Sequence, residues 1–403
     1  MDSKDNTESE RSSLDVKDEF QQDEDSCSGK ELFEIFPSRY LENKKISLIE
    51  GLPTQNSYVQ LVVNKDETTL ATANKKGEIC IVNIDNGTKL GNFTAHSKEI
   101  TDLKFCPTNS NLLYSSSLDN KIKLRDLRTN NFEHTYEYTD DGGHGKEFTC
   151  LAINCSGEFI CSGTSASPDE TAHLIFWDLK NNKMLGGYSE SHSDDITSVN
   201  FHPTKRHILM SAAMDNLINF YDISKQSESD AFSNCINLET TADTLHWDPH
   251  CNHQNNIFAI NYPQIIQYWD VDDTKPTAKY GAKRLCKAIK RQRPDQCHFI
   301  SLNFDHDLNP LFMISSNLGL EEQTDACIRT VSFIREKNKT LPHSVLEMGS
   351  RKVVQVYDSL YLSTKNKFVT LEGSCLRYWS QQGIKRTVAE TSSPHKNLKK
   401  EKK

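Results

Sequence analysis

The 403-residue chain has no run of 18 uncharged apolar residues, and its opening decapeptide, MDSKDNTESE, has neither a basic cluster nor an apolar stretch. Neither a membrane span nor a secretory signal is expected, which makes the protein soluble and intracellular. CxxC pairs are missing from its 12 cysteines, so reduced and mostly buried thiols are expected in place of a disulfide framework. The phosphate-binding GxxxxGKS/T, the dinucleotide GxGxxG, HExxH and GxSxG are missing as well. That removes the commonest routes to catalysis and predicts no enzyme and no cofactor. His246, His250, Cys251 and His253 are the densest group of possible metal ligands, but their spacing matches no common zinc motif and a polar loop between strands explains them, so no metal is expected. Hydrophobic residues make up 36% and charged residues 26%, a balance too apolar for a disordered chain and a little polar for one compact body, which points to a folded core with polar tails.

Charge is unevenly spread. Residues 1–40 hold 12 acidic and five basic side chains and read as a disordered acidic tail. Its serines at Ser12 and Ser28, each three places before an acid, are candidate phosphorylation sites whose added charge would compete for basic surface elsewhere. Residues 385–403 carry seven Lys or Arg against Glu390 and Glu401 and read as a disordered basic tail. The intervening residues 41–384 are acidic overall, yet Lys275, Lys279, Lys283, Arg284, Lys287, Lys290, Arg291 and Arg293 fall together with no acid from Thr274 to Pro294. With Leu285 and Ile289 four apart, this stretch reads as an exposed loop with at most a short amphipathic turn. Its field suits RNA or an acidic partner, and KRQRP resembles nuclear-import sequence.

Between the tails, short β-branched and aromatic runs alternate with turn clusters, predicting strands of five or six residues and few helices. The runs end at Asn83, Arg125, Trp177, Tyr221, Trp269, near Ser332 and at Trp379. A repeat in the forties of residues with three or four strands per unit predicts an all-β, seven-bladed propeller over 41–384. Lys45 to Glu50 (KISLIE) is placed to supply the outer strand of the last blade.

Two units, Ala95 to Asp126 and Ser191 to Asp222, align without a gap and resemble the WD-repeat family. The resemblance implies a buried network of His96, Ser115 and Asp119 in one unit and His192, Ser211 and Asp215 in the other, ending on a Trp. Arg125 and Tyr221 stand in that last place, whereas Trp177, Trp269 and Trp379 keep it in other units. His192, Asp194 and Asp195 could suggest acid–base work, but the network already uses His192 and both acids lie on a turn. The third unit carries extra residues at Ser165 to Glu170 (SASPDE), which with the basic tail narrows the likeness to one subgroup of the family.

What the resemblance implies is a non-catalytic scaffold that presents loops to partner proteins; the chain is expected to be monomeric outside complexes, and its basic segments predict a location in the nucleus. Ser165, Asp169 and Glu170 are partner-binding candidates on the insertion. Arg128, two places after Asp126, resembles the residue that docks some WD-repeat proteins onto a cullin-RING ubiquitin ligase adaptor, the alternative being an RNA-associated ribosome-assembly factor that uses Lys283, Arg284, Lys287, Lys290, Arg291 and Arg293.

Overall fold

The computed structural model describes residues 35–48, 58–129, 131–137, 145–166, 171–250, 255–261, 264–291, 294–316, 327–347 and 355–381. Within a repeat the strands change character in order. Third strands such as Leu174–Asp178 (LIFWD) and Leu217–Asp222 (LINFYD) bury nearly every residue, whereas fourth strands such as Lys89–Thr94 (KLGNFT) and Lys183–Tyr188 (KMLGGY) bury none. A sheet covered on both faces inside and wet at its rim requires that gradient.

The strands form five separate four-stranded antiparallel sheets over 58–94, 100–137, 148–188, 196–237 and 242–280, and one eight-stranded sheet. The latter divides at Ser38–Ser47 into four strands from 297–347 and a final group of three strands from 358–381 closed by Ser38–Ser47 itself. Counted so, the arrangement is consistent with seven blades, numbered 1 to 7 in that order. Apolar residues meet in wedges between neighbouring sheets. At the seam of blades 7 and 1, for example, Leu61, Leu70 and Val82 pack with Val369, Leu371 and Leu376.

The closing strand Ser38–Ser47 pairs antiparallel with Cys375–Gln381 and parallel with Lys339–Glu347, which is what joins blades 6 and 7 into one sheet. It includes Lys45, Ile46 and Ser47 of the KISLIE segment, while Ile49 and Glu50 lie outside the described residues. The strand starts at Ser38, inside the 1–40 segment assigned to the acidic tail, because Tyr40 is a core residue: it is 1% exposed and meets the Phe368 ring edge-on at 4.9 Å. The boundary at 384/385 lies outside the described residues.

A β-bulge recurs at one register of the third and fourth strands, just before Val82, Arg125, Trp177, Tyr221 and Val331. The positions equivalent to Arg125 in blades 1 and 6 are therefore Val82 and Val331. This corrects the sequence assignment of Asn83 by one residue and fixes the slot near Ser332 at Val331. Each bulge puts its extra residue on the fourth strand, Leu90, Leu185 and Ser233 in blades 1, 3 and 4.

The basic stretch is not the exposed loop its composition suggests. Residues Ala282–Ala288 form a helix, with Leu285 and Cys286 buried and Ile289 at its C-terminus 0% exposed. These three enter the same core wedge as Phe258, Tyr280, Phe312 and Phe333 of blades 5 and 6. Lys290 then turns the chain with φ of 57°, and Arg291 N–H donates to the Cys286 carbonyl at 3.0 Å, ending the helix. Burial of one apolar stripe outweighs the repulsion among its cations.

Candidate interaction surfaces

The polar anchors come first because they fix the loops. In blade 2, His96 Nδ1 lies 3.0 Å from both carboxylate oxygens of Asp119, and its Nε2 lies 2.8 Å from Ser115 Oγ. A carboxylate can only accept, so Nδ1 donates to Asp119 while Nε2 faces the serine hydroxyl. Blade 4 repeats the arrangement, His192 to Asp215 at 2.9 Å and to Ser211 at 2.7 Å. Burial alone would raise the Asp119 carboxyl, but hydrogen bonds from His96 and Ser97 outweigh it and hold Asp119 down at about 2. Asp215 is lowered in the same way.

The tryptophans are not brought to these triads. Trp177 packs edge-on against Tyr136 and Phe148. Trp269 donates to Gln267 Oε1 at 3.0 Å, and Trp379 to Thr370 Oγ1 at 3.0 Å. Where blade 2 lacks the indole, the Arg125 guanidinium stacks over Phe93, 3.6 Å from its centroid. In blade 4, Tyr221 stacks against Tyr188 at 5.4 Å.

At the end of the sheets that carries these turns, Ser165 N–H donates to the Glu147 carbonyl at 3.0 Å, and Ala166 N–H to Asp195 Oδ1 at 2.6 Å. The insertion is thus tied to its own blade at Ser165 and to the next blade at Ala166, and Asp195 has a structural role. Asp169 and Glu170 lie outside the described residues. Arg128 is folded back on Asp126, its Nε 3.1 Å from each carboxylate oxygen, on a side chain still 63% exposed.

Inner strands carry polar groups, missed in the sequence, that bond across to neighbouring blades. Asp102 accepts from Leu151 N–H of blade 3 at 3.1 Å, Ser198 from Leu245 N–H of blade 5 at 3.3 Å, and Asp358 from Leu61 N–H of blade 1 at 2.9 Å. These bonds stitch each blade to the next. Burial pushes Asp358 up to about 7, against the pull of the Ser359 and Leu61 N–H groups and Lys104. Burial also pushes His246, on the blade 5 inner strand, down to about 4. His250 lies on the loop that follows, Cys251 and His253 fall outside the described residues, and among the described residues no cluster of metal-ligating side chains occurs. A cavity of about 570 Å³, lined by Val62, Lys65, Lys104, Pro107, Cys155 and Leu360, opens at the other end of the inner strands.

A second missed device is ionic. Asp248 and Arg335, both buried, form a two-pronged pair with both bonds at 2.6 Å, and the Tyr268 hydroxyl donates to Asp248 at 2.9 Å. It bolts blade 5 to blade 6 beside the basic helix. No sequence signal marked it, since Asp248 sits in the polar run HWDPH.

The helix itself is clamped at both ends. Arg284 stacks on Tyr280 at 4.1 Å and donates to the Lys279 carbonyl at 3.0 Å and the Asn338 carbonyl at 3.4 Å. Tyr280 donates to the same Asn338 carbonyl at 2.6 Å. Arg329, buried in blade 6, donates to the carbonyls of Ile289 and Lys290. Lys275, Lys279, Lys283, Lys287 and Lys290 remain exposed, and so does Arg284, although its guanidinium serves the fold. Arg293 lies outside the described residues.

Comparison with known proteins agrees with this architecture. The WD domain, G-beta repeat family matches at residues 87–126 and 185–222. The chain is 24% identical over 277 residues to the WD repeat-containing protein 89 homolog of Dictyostelium discoideum, covering 69% of this chain and 72% of that protein. It is 23% identical over 253 residues to the GATOR2 complex protein WDR24 of Homo sapiens, covering 60% of this chain but 30% of that protein. Among solved structures, the RRP9 WD40 repeats superpose with a TM-score of 0.62 at 13% identity, covering 84% of this chain and 97% of that one. No helix among the described residues is long and apolar enough to cross a membrane. With WD40 repeats matched in blades 2 and 4 and the sheet arrangement shared with a WD40 structure, the chain is a WD-repeat β-propeller protein.

Proposed function

We propose that this protein is a non-catalytic scaffold of the nucleus, that its loop surfaces gather partner proteins, and that the lysine face of the rim helix receives an acidic segment of one of them. The observation that carries this reading is the double clamp on the helix by Arg284 and Arg329. A basic surface already ordered before contact loses less conformational freedom on docking than a loose loop would. The acidic body around it makes the patch a local attractor for negative charge. Similarity to a protein named as a component of the GATOR2 complex is in keeping with a role inside an assembly.

Affinity purification from nuclear and cytoplasmic fractions, with and without nuclease, tests the proposal. Nuclear partners that withstand nuclease and are lost on Lys283→Glu with Lys287→Glu are the expected result. Retention by the double variant removes the helix from the reading. Loss on nuclease treatment alone converts it to RNA association, for which log affinity against log salt should fall by about 0.7 per phosphate contacted on a single strand. A ubiquitin-ligase adaptor lost on Arg128→Ala would replace it altogether.

A further inference from the structure

The rim helix has a neighbour that the repeat does not account for. Phe36, 2% exposed, enters the fold just before the closing strand, and the Arg329 guanidinium lies 5.4 Å from its ring centroid. That same guanidinium bonds the carbonyls at the C-terminal end of the helix. From Ser38 onward the chain pairs in parallel with Ser344–Glu347 of blade 6, where Val345 is the register partner of Arg329 itself. The N-terminal chain and the basic helix therefore share one edge of the molecule.

Their charges are complementary. Residues 1–34 carry 12 acidic and four basic side chains, and residues 18–25 (DEFQQDED) contain five acids and no base. Asp25 precedes Phe36 by 11 residues, a span of at most about 40 Å, whereas a seven-residue helix is only about 10 Å long. Reach does not limit the contact. On the helix side, Lys279, Lys283, Lys287 and Lys290 are exposed.

We propose that the acidic segment at residues 18–25 docks on the lysine face of this chain's own rim helix and competes there with external polyanions. Exposed ion pairs are individually weak, but several on one short tether act at an effective concentration in roughly the millimolar range. The competition rests on the reading of the helix as a partner surface; the docking does not.

Carbodiimide coupling of carboxylates to lysines in the full-length chain, read by peptide mass spectrometry, tests the docking. Acids of 18–25 should join to Lys279, Lys283, Lys287 or Lys290, and the products should vanish at about 1 M salt, where screening reaches about 3 Å. Products from those acids confined to lysines of blades 1 to 4, or no products, overturn it. The full chain with Asp18→Asn, Glu19→Gln, Asp23→Asn, Glu24→Gln and Asp25→Asn should bind heparin about five- to tenfold more tightly than the unaltered chain at low salt, and Lys283→Glu with Lys287→Glu should abolish the gain. Equal heparin affinities alongside the expected cross-links overturn the competition. Failure of both chains to bind heparin overturns the partner-surface reading, while the cross-links still decide the docking.

Discussion

At the residue scale the polar anchors are the most sensitive points. Asp119 is ionised in the fold with its carboxyl held at about 2, below its ordinary value near 3.8, so it binds a proton less readily folded than unfolded. The stability it contributes is complete above pH 3.8 and is lost as pH falls toward 2. Asp119→Ala should lower unfolding stability by about 1–3 kcal/mol at pH 7, because the His96 N–H is left buried without an acceptor. Urea titrations at pH 7 and pH 2.5 should show the difference between variant and parent shrinking at the lower pH; an equal difference at both would deny the carboxylate its role. Arg335→Leu should cost more, about 3–5 kcal/mol, since it strands the Asp248 charge in the interior, and replacing Asp248 by Leu as well should recover much of the loss. A double-mutant cycle by thermal unfolding measures the coupling directly.

At the scale of elements, the rim helix depends on Leu285 more than on any of its cations. Leu285→Ala removes a side chain 2% exposed and should cost about 2–5 kcal/mol, with hydrogen exchange accelerating over 282–291 and polyanion affinity falling although every lysine is still present. If affinity stays at the parental level, position along the chain matters and the helix does not. This element shows where sequence legibility stopped. Leu285 and Ile289 were visible as a spacing of four, but eight cations around them concealed that the spacing was a buried stripe, since the wedge that receives it is built from Phe258, Phe312 and Phe333 far along the chain. The third strand Leu174–Asp178 was legible because both of its faces are covered and its run LIFW is unbroken. The triads His96–Ser115–Asp119 and His192–Ser211–Asp215 were marked by identical spacings in two gapless repeats. Asn83 missed its slot by one residue because the run EICIVN holds no aromatic to mark which position is equivalent to Arg125. The Asp102, Ser198 and Asp358 stitches could not be seen in advance, since one polar residue on an inner strand acquires its partner only when the next blade is set beside it.

For the molecule as a whole, the question is what closes the ring. Blade 7 takes its fourth strand from Ser38–Ser47, and there Arg377 joins Glu372 of its own blade to Glu42 of the closing strand, both bonds at 2.6 Å. On the inner side the same blade is stitched to blade 1 by Asp358, whose acceptor oxygen takes the Leu61 N–H at 2.9 Å. The inner fastening responds to pH. Burial raises Asp358 to about 7, so the folded chain binds that proton more tightly than the unfolded chain, in which the group titrates near 3.8. Its contribution is therefore most favourable below pH 3.8 and declines as pH rises through 7. A neutral amide keeps the oxygen that accepts from Leu61 and has no proton to lose. Asp358→Asn should thus be more stable than the parent at pH 8, and the two should converge on approach to pH 4, with the parent alone showing a downward slope between them. Thermal unfolding across that range reads the slope, and a parent curve as flat as that of the variant would mean that the carboxylate is already solvated and that the ring is closed by the outer strand alone.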